Sequence, residues 1–237
     1  MVSQKVLTLL KQFHYGLSLT TVVAVLNFAS PRVLSANMTH IQTLLEVADA
    51  VQEAYERGIQ LYGEQNYRRA IDAFSQVIRN NTSSYEAYNF RGISYHQLGD
   101  YEQAINDFDR AIDLNPNQHY IYLNRGLSYL SRGESRRAID NFNQAIRLDH
   151  TDIKAYISRG LSYNKLREYR RAIYDFNQAI RLDPNEASAY SGRGYSYFKL
   201  GDINTALEDY EEAAGLYLEQ GEQEGYERAI NWLEFLD

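Results

Sequence analysis

The chain has 237 residues, a hydrophobic share of 44%, and 24 basic against 31 acidic residues, for a formal net charge of −7. A surface this acidic repels nucleic acid and anionic membranes in the mean field, so neither is expected as a partner. Cysteine is absent, which excludes disulfides, thiolate metal sites and cysteine nucleophiles.

The first 36 residues differ from the rest. They contain no Asp or Glu, carry Lys5, Lys11 and Arg32, and hold an apolar run from Leu17 to Leu26 followed by the small residues Ala29, Ser30, Ser35 and Ala36. This is the pattern of an export signal, and the run is shorter than the roughly 20 apolar residues that span a bilayer. Leu34 stands where cleavage after Ala36 prefers a small residue, so an uncleaved anchor, an organelle transit peptide or an ordinary helix are the competing readings. Cleavage there would leave 21 basic against 31 acidic residues, a charge of −10. The mature body is then expected in a periplasm, a thylakoid lumen or the extracellular space, with no membrane span.

From Asn37 to Ala50, Ile41, Leu44, Leu45 and Val47 fall at helical spacing, with Thr39 as a candidate N-cap. This lead-in helix meets no breaker before Val51.

Beyond it the chain repeats itself. Arg125 to Asp149 recurs as Arg159 to Asp183 with 18 of 25 residues identical. Ala70, Ala104, Ala138, Ala172 and Ala206 recur every 34 residues and divide the chain into units 51–84, 85–118, 119–152, 153–186 and 187–220. Each unit contains two apolar-periodic runs of helical length. Gly99-Asp100, Gly133-Glu134 and Gly201-Asp202 mark the break inside a unit, since glycine ends one helix and Asp can cap the next. Pro116-Asn117 and Pro184-Asn185 mark the break between units. Residues 221–237 close the chain with an amphipathic helix whose apolar face holds Tyr226, Ala229, Ile230, Leu233 and Leu236.

These residues resemble the tetratricopeptide repeat family. Its 34-residue pattern has a large residue at place 4, Leu-Gly at 7 and 8, Tyr at 11, Ala at 20, Phe or Tyr at 24, Ala at 27 and Pro at 32. The second unit supplies Tyr88, Gly92, Tyr95, Ala104, Phe108, Ala111 and Pro116; the third supplies Tyr122, Gly126, Tyr129, Ala138, Phe142 and Ala145. The resemblance covers 51–220 and implies an all-α, right-handed α-solenoid, a superhelix of five helix pairs with a C-terminal capping helix. Gly58, Gly92, Gly126, Gly160 and Gly194 interrupt every first helix, which implies close helix approach.

One departure from the family recurs. Place 7 holds Arg57, Arg91, Arg125, Arg159 and Arg193 instead of Leu, and place 23 holds Asp107, Asn141, Asp175 and Asp209, with Ala73 in the first unit. The two helices of a unit run antiparallel, so these places are expected to form structural ion pairs; a ladder for anionic ligands is the alternative. The basic pairs Arg68-Arg69, Arg136-Arg137 and Arg170-Arg171 read as a solvated stripe.

Chemistry has no comparable signal. The five histidines show no metal-ligand spacing, no GxSxG occurs, and Gly192-Arg193-Gly194 follows no strand. No catalytic residue, metal or cofactor is expected, and the chain does not read as an enzyme.

In the family the first helix of each unit lines a concave groove that takes peptides or helices. The corresponding residues are Tyr55, Ile59 and Tyr62; Asn89, Ile93 and His96; Tyr120, Leu123, Leu127 and Leu130; Lys154, Ile157, Leu161, Asn164 and Lys165; and Tyr195 and Phe198. The resemblance therefore implies a protein or peptide partner held by a non-catalytic scaffold or adaptor, with assembly factor as one role. Packing between neighbouring first helices is the other reading of the same places. The alternative functions are a self-associating structural module or a regulatory subunit of a larger complex, and oligomeric state stays open. The family's clamp for terminal carboxylates is matched only at Asn124 and Lys154, while Asn89, Ile93 and Ser158 depart from it.

Overall fold

The structure, a computed structural model, describes residues 31–236. The described residues form eleven α-helices: α1 (Pro31–Gly63), α2 (Tyr67–Asn80), α3 (Tyr85–Gln97), α4 (Tyr101–Leu114), α5 (His119–Ser131), α6 (Ser135–Leu148), α7 (Ile153–Lys165), α8 (Tyr169–Leu182), α9 (Ala187–Leu200), α10 (Ile203–Gln220) and α11 (Gln223–Leu236). Two compact units divide the chain, Met1–Glu53 and Ala54–Asp237. The lead-in stretch and the first helix of the first repeat are continuous within α1. The export segment expected at 1–36 lies outside the described residues as far as residue 30.

Within Ala54–Asp237 the chain is an all-α solenoid. The helices of a repeat pack on each other (α3 on α4, α5 on α6, α7 on α8, α9 on α10), and each second helix packs on the first helix of the next repeat. The last of these contacts, α10 on α11, covers the C-terminal end of the stack. A body held by nearest-neighbour contacts is what defines a repeat architecture.

The turns inside the repeats need one left-handed residue. Gly99, Gly133 and Gly201 supply it with φ of 80°, 83° and 86°, whereas Gln65 and Arg167 sit at the equivalent place with φ of 58° and 61°. A side chain in this region costs roughly 1–2 kcal/mol, partly offset by the greater unfolded-state freedom of glycine. Arg167→Gly is therefore expected to stabilise the fold by about 0.5–1 kcal/mol, read as a higher urea midpoint.

The turns between repeats follow a rule that the proline pattern did not disclose. At place 31 the side-chain carbonyl or carboxylate of Asn81, Asn115, Asp149 and Asp183 accepts the backbone N–H two residues on, at 3.1, 3.3, 2.9 and 2.9 Å. These Asx turns stop the second helix whether or not proline follows, which is why the Asn81 and Asp149 turns form without it. Ser84 and Asp152 then cap the first helices that come next, as Asp100 and Asp202 cap second helices after the glycine turns inside the repeats. Glu134, expected at a cap place, caps nothing with its side chain and instead pairs with Arg132 and Arg137.

The core follows one pattern along the stack, with Val77 in place of the second alanine in the first repeat and Tyr210 in place of phenylalanine in the fifth. Ala104, Phe108 and Ala111, and their counterparts Ala138, Phe142 and Ala145, are wholly buried on the second helix. The phenylalanine ring lies against the mid-helix glycine of its own repeat. A Cβ built on Gly58, Gly92 or Gly126 would stand 2.7, 2.8 or 2.5 Å from a ring carbon of Phe74, Phe108 or Phe142. Gly192 adds a second such contact, 2.5 Å from Phe176, between the fourth and fifth repeats.

Candidate protein-binding groove

The first helices bring the expected groove residues onto neighbouring helices, but they fall into three groups. One group is structural. Asn89 and Leu123 are buried, with 4% and 8% of their surface exposed, and Asn164 is buried to the same degree at 8%. Asn124 Nδ2 donates to Asn89 Oδ1 at 3.1 Å. Asn164 accepts from Ser196 Oγ at 2.8 Å and donates to the Gly192 carbonyl at 3.3 Å. His96 Nδ1 lies 2.9 Å from Ser128 Oγ, and burial lowers the imidazole pKa. These bonds tie α3 to α5 and α7 to α9, because a small polar side chain at a close helix crossing meets another helix before it meets solvent. Asn89 and His96 therefore have hydrogen-bond partners within the protein, and Leu123 is buried. With Asn124 engaged in this way and Ser158 buried, no carboxylate clamp is assembled.

A second group packs at the margins of the repeat cores. Tyr55 and Tyr62 contact the Phe90 ring at 6.1 and 6.3 Å. Ile93 and Tyr120 lie against the second repeat's core, Leu127 and Leu130 against the third, and Ile157 against the fourth. Ile59 is half-buried. Tyr195 and Phe198 pack on Trp232 of α11 at 5.8 and 5.3 Å, so the capping helix covers them.

The third group is open. Lys154 and Lys165 are exposed, and Leu161 keeps 42% of its surface in solvent. Here the surface sinks into a pocket of about 680 Å³ that joins Leu130, Ile157, Leu161, Asn164, Lys165 and Tyr195. Ser131, Ser188, Ser191, Gly192, Tyr210, Tyr217, Gly225, Arg228 and Trp232 complete it. The contributions of α10 and α11 were not expected from the repeat pattern. The chain's single tryptophan on the capping helix was the sequence signal that could have found them.

The arginines lie away from this pocket and join second helices. Arg91, Arg159 and Arg193 each donate through Nε and Nη2 to both oxygens of Asp107, Asp175 and Asp209, at 2.6–2.9 Å. In each case Nη1 reaches back to the preceding repeat, to Ser75, Asn143 and Asn177. Arg125 reverses the charge arrangement: its Nε donates to Asn141 at 2.6 Å, and its carboxylate partner is Asp109 of the preceding repeat. Every one of these guanidiniums also lies 5.3–5.6 Å from the ring of a tyrosine three residues earlier. Burial pushes the three paired carboxyls above their ordinary pKa, with the guanidinium pulling the other way. Arg57 lacks the partner at Ala73 and donates to Gln76 at 3.0 Å. The acceptor at place 25 went unread in the sequence because it belongs to the neighbouring repeat.

Tetratricopeptide repeat models match residues 85–118, 119–152 and 187–220, and a TPR repeat model matches 160–201. The chain belongs to the tetratricopeptide repeat family. No curated protein sequence matches it. Among solved structures, MamA from Desulfovibrio magneticus RS-1 is similar at 22% identity, with a TM-score of 0.67 over 73% of this chain and 97% of MamA. YrrB, a TPR protein with an unusual peptide-binding site, is 18% identical, with a TM-score of 0.62 over 78% of this chain and 97% of its own. PilW, a type IV pilus biogenesis factor, is 15% identical, with a TM-score of 0.64 over 78% and 92% of the two chains. At these identities the likeness is one of fold. Among the described residues, no helix of this TPR protein is long and apolar enough to cross a membrane.

Proposed function

We propose that this TPR protein is a non-catalytic scaffold that holds a peptide or helix of a partner protein, with the open pocket between α7, α9 and α11 as its principal contact. The observation that carries this reading is Leu161. It is a large apolar side chain left 42% exposed at the mouth of a pocket, whereas Leu98, Leu200, Leu218 and Phe235, which are more exposed, do not line it. Leu161→Glu, at a position that packs little, should leave the melting temperature within a degree or two and remove partners from a pull-down out of native extract. An unchanged partner list would overturn the groove reading. A role in assembling a larger complex is the form of scaffold we favour, consistent with the pilus biogenesis role of PilW. Export is part of the same proposal and rests on the acid-free, apolar N-terminal composition. Edman sequencing of the mature form that begins at Met1 would refute it.

A further inference from the structure

At place 24 the fifth repeat departs from the other four by one atom. Phe74, Phe108, Phe142 and Phe176 fill place 24, and Tyr210 fills it in the fifth. The four phenylalanines show that the core is complete without a hydroxyl. The Tyr210 ring is fully buried, and its hydroxyl is the one buried side-chain nitrogen or oxygen among the described residues with no hydrogen-bond partner. A buried phenol left in this state is a standing cost and calls for a partner that the protein's own side chains do not supply.

Tyr210 lines the pocket described above, and so does Trp232, whose ring stacks on Tyr210 at 5.4 Å and 3°. The charge of the lining is unlike that of the chain. Lys165 and Arg228 line it, and no Asp or Glu does, although acidic residues outnumber basic ones 31 to 24 overall. Arg228 is only loosely engaged, with Glu224 at 3.4 Å and both side chains largely exposed. Ser188 donates to Glu186 at 2.6 Å, outside the pocket. The apolar part of the lining is Leu130, Ile157 and Leu161.

From this arrangement we infer that the pocket takes an acidic peptide segment, one or two Asp or Glu side chains beside a leucine-like anchor. Lys165 and Arg228 attract the carboxylates, and the Tyr210 hydroxyl donates to one of them once the Trp232 indole shifts. The two cations come from α7 and α11 with α9 between them, a spread suited to side-chain carboxylates along a segment rather than to one terminal carboxylate. The inference rests on the groove reading and adds to it the chemistry of the partner.

The test is selection from a random peptide library displayed with C-termini fused, so that only side chains offer carboxylates. Peptides enriched in Asp or Glu next to Leu, Ile or Phe are expected on the wild-type chain, and the acidic enrichment should vanish on the Lys165→Met/Arg228→Met variant. Binding of a selected peptide should change Trp232 fluorescence, the only tryptophan signal in the chain. Tyr210→Phe should weaken that peptide roughly tenfold or more, as expected for a hydrogen bond to a charged group, while the melting temperature stays or rises because the orphaned hydroxyl is gone. Apolar peptides without acidic enrichment would overturn this inference and leave the groove reading intact. Unchanged affinity in Tyr210→Phe would also overturn it. A library yielding no binders would overturn both.

Discussion

Gly126→Ala lowers the stability of the stack, and Gly215→Ala raises it, although the chemical change is the same. Both glycines sit inside helices, where glycine costs about 1 kcal/mol relative to alanine. At Gly215 nothing lies within 4 Å of the added carbon, so the helix gains up to about 1 kcal/mol. At Gly126 the added carbon meets Phe142 at 2.5, 2.9 and 3.0 Å, and that ring is wholly buried. Relieving the clash means moving a core phenylalanine or separating α5 from α6, and overpacking of this kind costs about 1–3 kcal/mol. The packing loss exceeds the propensity gain, so a net destabilisation of up to about 2 kcal/mol is expected. Gly126→Leu, with a full side chain against the same ring, should cost still more. Denaturant midpoints check both signs. A rise for Gly126→Ala would mean that Phe142 shifts freely and that the glycine does not set the helix spacing.

The repeat framework was legible because its causes are local and recur. A glycine opposite an aromatic core residue and alanines at the closest crossing each leave a mark at a fixed spacing, and repetition separates the mark from noise. The open pocket was half legible. Leu130, Ile157, Leu161 and Lys165 follow from their places on the first helices. Asn89 and His96 have partners that their own places do not disclose, because the residue that meets each of them stands on the next first helix, at Asn124 and Ser128. Tyr210, Arg228 and Trp232 lie beyond the periodic reading altogether. The capping helix breaks the 34-residue pattern, and a lone hydroxyl on a core ring stands out only once its surroundings are known.

Asp175→Leu should be among the most damaging single changes in the chain, at about 3–5 kcal/mol, because it leaves the Arg159 guanidinium without its carboxylate at a site where the two side chains are only 15% and 1% exposed. The replacement of both residues by leucine should cost far less than the sum of the single changes, since no charge is then stranded; a double-mutant cycle without coupling of at least about 1 kcal/mol would remove the tie. Asp109→Ala provides the contrast. Its carboxylate pairs with Arg125 but is 50% exposed, and Arg125 keeps its bond to Asn141, so a loss of about 1 kcal/mol or less is expected. The pH dependence separates burial from pairing. Burial raises the folded-state pKa of Asp175 above its ordinary 3.8, so the native state takes up this proton before the unfolded chain does. The contribution of this titration to stability is therefore fully present below 3.8 and is lost as the pH rises through the folded value. Asp175→Asn cannot titrate, so the stability of wild type relative to this variant should increase as the pH falls through that window. A dependence of the opposite sign would mean that the guanidinium, and not burial, governs the carboxyl.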